Sequence, residues 1–209
     1  MRILVLNPNS STEVTRAIAE ALDPLGDYFE VSDRPEGPAT IRTDADVAEA
    51  GVDIVDRFSR ATGFDGFVTC CFSDPGLDLA RTHLQQPVTG AQEAAVLEAC
   101  GRAEKFGIIA LSELAVPRHL KRIEAMGLLD RLAAELPLRD VSAADSGRDP
   151  AVYAEILRIA ATLRERGAGA IVLGCAGMAT LAARLEADLG MPVIDPVAAA
   201  GRLALERAR

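Results

Sequence analysis

Cys71 and Cys175 are the residues of this 209-residue chain whose type and spacing point to chemistry. They lie 104 residues apart, and each has the same local setting. Gly66-Phe67-Val68-Thr69-Cys70-Cys71-Phe72-Ser73 runs through a helical stretch to Pro87-Val88-Thr89-Gly90. Ala170-Ile171-Val172-Leu173-Gly174-Cys175-Ala176-Gly177 runs through another to Pro192-Val193-Ile194-Asp195. The apolar run Ile3-Leu4-Val5-Leu6 recurs as Gly107-Ile108-Ile109-Ala110. A duplicated fold with one thiol per half can set two sulfurs on opposite faces of one small molecule. Taking a proton from carbon on one face and returning one to the other needs two such groups of similar, near-neutral pKa.

The elements that must position these thiols alternate between strand and helix. Short β-branched runs occur at 2–6, 66–69, 106–111, 170–173 and 192–194. Between them lie Ala/Leu-rich, charge-laced helical segments at 11–22, 44–61, 76–84, 91–103, 114–125, 150–166, 178–189 and 196–208. Apolar strands without alternation are buried on both faces, which implies parallel sheets in an α/β architecture. Two similar Rossmann-like lobes related by a pseudo-twofold are expected, with the site in the cleft between them. The first spans 1–98 with Cys71 and the second 99–192 with Cys175, and 193–209 returns to pack on the first. Segments 31–43 and 137–149 read as loops, and Asp149-Pro150 reads as a helix start. Both thiols follow strand ends and face helix N-termini, where positive potential lowers a thiol pKa from about 8.5.

Composition narrows the function classes. The chain is 49% hydrophobic and 25% charged, with 4% aromatics and no Trp, so Ala and Leu must fill a packed core. A net charge of −9 argues against nucleic acid or an anionic membrane surface as partner. No run approaches the roughly 20 apolar residues of a membrane span. The N-terminus reads as a first strand rather than a signal peptide. A cytoplasmic location with four reduced cysteines is the expectation. No cluster has metal-ligand spacing, no G-x-G-x-x-G follows the first strand, and Lys105 and Lys121 lack a pyridoxal phosphate setting, so no metal and no cofactor are expected.

Four segments resemble, in order, the hydantoin racemase branch of the aspartate/glutamate racemase superfamily. They are Arg2-Ile3-Leu4-Val5-Leu6-Asn7-Pro8-Asn9-Ser10-Ser11, Cys71-Phe72-Ser73-Asp74-Pro75-Gly76-Leu77, Pro87-Val88-Thr89-Gly90 leading into Glu93-Ala94-Ala95, and Ile171-Val172-Leu173-Gly174-Cys175-Ala176-Gly177-Met178. The resemblance implies a cofactor-independent racemase of 5-substituted hydantoins, allantoin among the candidates. It also implies a small cyclic ureide as partner and a homo-oligomer. The chain departs from aspartate and glutamate racemases, which usually follow each Cys with Asn-Thr or Thr-His. It also departs from typical hydantoin racemases at Ala110-Leu111-Ser112 and Gly90-Ala91-Gln92-Glu93.

In that scheme Cys71 and Cys175 flank C5, one as thiolate and the other as thiol. Backbone N–H groups at Phe72, Ser73, Ala176 and Gly177 stabilise the enolate. Asn9, and Ser112 in the related position beside Leu111, bond the ring, and Ile41 lines the substituent pocket. A lone Cys after a buried strand is ordinarily packing, but two at equivalent repeat positions read as a working pair. Cys70 and Cys100 read as packing residues, and His83 and His119 as surface or capping residues away from both thiols. Asp74 is a substrate ligand or the cap of the helix it precedes. The alternatives are an acidic amino-acid racemase or related small-carboxylate isomerase, and a small-molecule sensor with idle thiols.

Overall fold

A computed structural model describes all residues 1–209. In the first half the order is β1 (Ile3–Leu6), α1 (Thr12–Leu22), β2 (Phe29–Ser32), α2 (Asp44–Arg60), β3 (Gly66–Thr69), α3 (Leu77–His83), β4 (Val88–Gly90) and α4 (Ala91–Arg102). The second half repeats it as β5 (Phe106–Ala110), α5 (Val116–Ala125), β6 (Leu132–Pro137), α6 (Pro150–Glu165), β7 (Ala170–Gly174), α7 (Ala182–Leu189), β8 (Val193–Ile194) and α8 (Pro196–Arg207). Each half forms a four-stranded parallel sheet, ordered β2-β1-β3-β4 and β6-β5-β7-β8. The expected pair of α/β lobes is present.

Side-chain alternation along β1 shows how the first sheet is held. Ile3 and Val5 join a core with α1 and α8, whereas Leu4 and Leu6 join Ile54, Phe58 and Leu77 from α2 and α3. Capping starts the helices where the sequence placed them. Thr43 and Asp46 form a capping box on α2, and Asp149 accepts from Ala151 N with Pro150 in the first turn of α6.

The three strands with no counterpart among the expected runs, β2, β4 and β6, are all outer strands. With one flank open, none of them shows the apolar run of a central strand. Leu132-Ala133-Ala134-Glu135 even carries helix-forming composition. The 31–43 loop accordingly begins only after Ser32. Of the 193–209 segment, Val193–Ile194 pairs with β7 in the second sheet, and α8 packs on β3, β4, α1 and α4. The boundary expected near residue 98 falls inside α4, which also packs on α8, β7 and β8.

Candidate active site

In open parallel sheets ligands bind beyond the carboxyl ends of the strands, where the strand order reverses. That point lies between β1 and β3 in one half and between β5 and β7 in the other. The turns leaving these four strands carry Asn9, Cys71, Ser112 and Cys175, and all four line a single cavity of about 560 Å³, open mouth included. Ile41, Phe72, Ser73, Leu111 and Ala176 share its walls. Gly177 does not. A Cβ there would stand 2.0 Å from the Ala143 carbonyl oxygen, so the residue is packed against the 138–149 loop. Its N–H instead donates to Cys175 Sγ at 3.4 Å.

Cys71 is half-buried and Cys175 buried. Cys175 caps a short 3-10 turn at Ala176–Leu181, and Ser146 Oγ stands 4.0 Å from its sulfur. Cys71 opens a tight turn closed by Asp74 N donating to Cys71 O at 2.9 Å. No helix begins there, because α3 starts at Leu77. The expected downward pKa shift is not found. Burial pushes the Cys71 thiol up to about 12, against a backbone hydrogen bond from Ser73, with nearby Cys175 and Asp74 adding to the rise. Burial also raises Cys175, against bonds from Gly177 and Ser146. Withdrawal from water outweighs the dipoles at both positions.

The polar groups around the thiols are ordered. Asn9 Oδ1 accepts from Ser11 N at 2.9 Å and from Asn7 Nδ2 at 3.0 Å, which fixes the amide orientation and leaves its NH2 group available to the cavity. Phe72 and Ser73 N–H groups have no backbone acceptor. Ser112 Oγ accepts from Leu114 N and caps a one-turn 3-10 helix. Thr40 Oγ1 accepts from Ala143 N at 3.2 Å, latching the loop before α2 to the loop before α6 across the cavity. No group of three His, Cys, Asp or Glu side chains could hold a metal ion.

The chain matches the Asp/Glu/Hydantoin racemase family over residues 3–204. It belongs to that family. A hydantoin racemase of Paenarthrobacter aurescens is 39% identical, the match covering 98% of this chain and 89% of the relative. One of Rhizobium meliloti is 37% identical over 98% and 87%. The structure of allantoin racemase from Klebsiella pneumoniae superposes with a TM-score of 0.88 at 34% identity, covering 99% of this chain and 86% of that one. This member of the family is an isomerase of the racemase class.

Several residues of this racemase site were not expected. His119 is 2% exposed and lines the cavity beside Phe72, with rings 5.0 Å apart edge to face, so the placement of both histidines away from the site is corrected for His119. Its Nδ1 stands 2.6 Å from Glu135 Oε1 and its Nε2 3.3 Å from Ser73 Oγ. The signal was present in the sequence. Ala115, the residue that caps α5, recurs every four residues with His119 and Ile123, and the latter two form the buried face of the helix. Asp74 proves to cap a different helix from the one it precedes. Its carboxyl accepts from Gln92 N and Glu93 N of α4, packed where a Cβ on Gly90 would collide with it. Cys70 is buried in the core yet touches the cavity, and Cys100 packs from α4.

Proposed function

We propose that the chain is a cofactor-independent racemase of 5-substituted hydantoins, with Cys71 and Cys175 exchanging a proton across C5. The observation that carries this is the convergence of two thiols, one from each half of a duplicated fold, on one small cavity. The cavity volume suits a small ligand. No carboxylate lines its wall, which fits a site where negative charge must develop on a ring oxygen.

One sulfur removes the C5 proton as thiolate while the opposing thiol supplies one to the other face. They reverse roles for the other enantiomer. The Phe72 N–H, free of a backbone acceptor, is the proposed enolate donor, with Ala176 contributing from the other half, while the Ser73 N–H bonds the Cys71 thiol as that of Gly177 bonds Cys175. The Asn9 NH2 group and the Ser112 hydroxyl bond the ring, and Ile41 and Leu111 bound the substituent. Gly177 acts through Cys175 rather than on the ligand. We also propose a reducing cytoplasmic setting, supported by four free thiols. A homo-oligomer is supported by exposed Val52 and Leu79 sharing one surface groove.

Arg42 and Arg118 at the cavity favour a second reading, a racemase of an acidic amino acid. Arg118 is already engaged by Ser73 Oγ, the carbonyls of Leu114 and Arg42, and Asp44, which leaves it little to offer a substrate carboxylate. The deciding experiment follows the optical rotation of enantiopure 5-substituted hydantoins, allantoin and L-aspartate in deuterated buffer. Decay of hydantoin rotation well above the spontaneous rate, with deuterium at C5, supports the proposal. Decay with aspartate alone supports the second reading. Tight binding of a hydantoin without C5 exchange favours a sensor and sinks the racemase.

A further inference from the structure

Cys71 is followed by two residues that the opposite half of the molecule grips. Ser73 Oγ accepts from Arg118 Nε at 2.9 Å and stands 3.3 Å from His119 Nε2. His119 Nδ1 stands 2.6 Å from Glu135 Oε1, and the His119 ring meets the Phe72 ring edge to face. Arg118 and His119 belong to α5 and Glu135 to β6, so all three come from the second half, while Phe72 and Ser73 belong to the first. Hydrogen-bond chemistry gives the chain a direction. Arg118 Nε donates to Ser73 Oγ, the hydroxyl proton goes to His119 Nε2, and Nδ1–H goes to Glu135, which fixes the tautomer of the ring.

Burial makes this arrangement costly and therefore informative. The side chains of His119 and Glu135 are 2% and 1% exposed. Glu135 Oε2 has no hydrogen-bond partner within the protein, and a buried acceptor not paired by the fold weakens it. A third half-to-half tie, Gln92 Nε2 donating to His119 O at 2.9 Å, holds the α5 backbone in place. Cys175 has no hydrogen-bonded counterpart to this brace, although the turn that follows it packs against α1 of the first half. Its polar contacts, from Gly177 N and Ser146 Oγ, come from its own half.

We propose that His119, held by Glu135, is a positioning residue that locks the Cys71 turn across the cleft and fixes that thiol, but not Cys175, at the reacting carbon. This rests on the racemase reading for its kinetic test and is independent of it for its chemical one. The variants are Ser73→Ala, which leaves the buried pair intact, His119→Gln, and Glu135→Gln beside Glu135→Ala.

Thermal unfolding first establishes that each is folded. Ser73→Ala and His119→Gln are expected to lower kcat by about 10- to 100-fold, because a thiol misplaced by about 1 Å costs on that order, with KM nearly unchanged. Deuterium exchange at C5 should then fall for one enantiomer only, the one deprotonated by Cys71. Glu135→Gln, which still offers Nδ1–H an oxygen, should recover most of the activity that Glu135→Ala loses. Equal loss of exchange from both enantiomers, or full activity in Ser73→Ala, overturns the brace.

If wild-type protein leaves every hydantoin untouched, the racemase reading fails and alkylation decides the brace alone. Iodoacetamide should label Cys71 several-fold faster in Ser73→Ala than in wild type, with Cys175 unchanged by peptide mass spectrometry. Unaltered labelling of Cys71 overturns it.

Discussion

Replacing Gly177 by alanine tests the setting of the second thiol. The added Cβ would lie 2.0 Å from the Ala143 carbonyl oxygen and 2.8 Å from Ser146 Oγ, where real contacts stay beyond 3.0 Å. The 143–146 loop must therefore retreat by about 1 Å, since interiors this dense do not absorb such a clash. Overpacking of this kind costs about 1–3 kcal/mol. For a chain of this size that lowers Tm by roughly 2–12 °C. The same retreat carries away Ser146 Oγ and tilts the Gly177 N–H, the two groups that touch Cys175 Sγ. A displacement of about 1 Å at a reacting group can lower the rate on the order of 100-fold. Circular dichroism gives the first quantity, and C5 deuterium exchange from each enantiomer gives the second. Exchange should fail for the enantiomer served by Cys175, the opposite hand to that lost in Ser73→Ala. An unchanged Tm together with an unchanged racemisation rate would show that the close approach does not hold Cys175.

Three further outcomes follow from the site and its supports. Cys71→Ala and Cys175→Ala should each abolish racemisation while exchanging C5 protons of one enantiomer, a different one in each case. Full racemisation by either, measured by polarimetry, would exclude the two-thiol scheme. Because burial holds the Cys71 thiol near 12, its alkylation should rise about tenfold per pH unit from pH 7 to 10 with no plateau. A plateau near pH 8 would show an ordinary thiol. Burial pushes the Glu93 carboxyl up, but hydrogen bonds from Arg81 and Arg207 hold it below its usual value. Its contribution to stability is thus present at neutral pH and lost as pH falls through the acid range. Glu93→Gln should lower Tm at pH 7 and flatten that acid-side slope in thermal melts.

The repeated apolar strands made the fold legible, because a strand buried on both faces advertises itself by composition alone. The strand-end rule then located the cavity, and Cys71, Cys175, Asn9 and Ser112 all lie on its wall. Two kinds of information were out of reach. The outer strand Leu132–Pro137 has no compositional signature, so Glu135 was invisible as a site residue. The reach of α5 across the cleft depends on how the two sheets dock, which no local pattern encodes. Hence His119 was placed elsewhere although its four-residue spacing with Ala115 and Ile123 already put it on a buried face. The thiol pKa direction failed for a related reason. A strand-end position says where dipoles point, but burial on the cavity wall is decided by loops from both halves.

The course of α8 bears on the order in which the molecule can be made. This helix follows the last strand of the second sheet, yet it covers one face of β3 and β4 and binds Glu93 and Glu98 of α4 through Arg207 and Arg202. A ribosome that has released only the first half has therefore produced a sheet with a bare apolar side. That side stays open to other chains throughout synthesis of the second half. Folding of the earlier half is completed by a helix that emerges only after every strand of the second sheet, which ties both halves to one folding event despite their independent sheets.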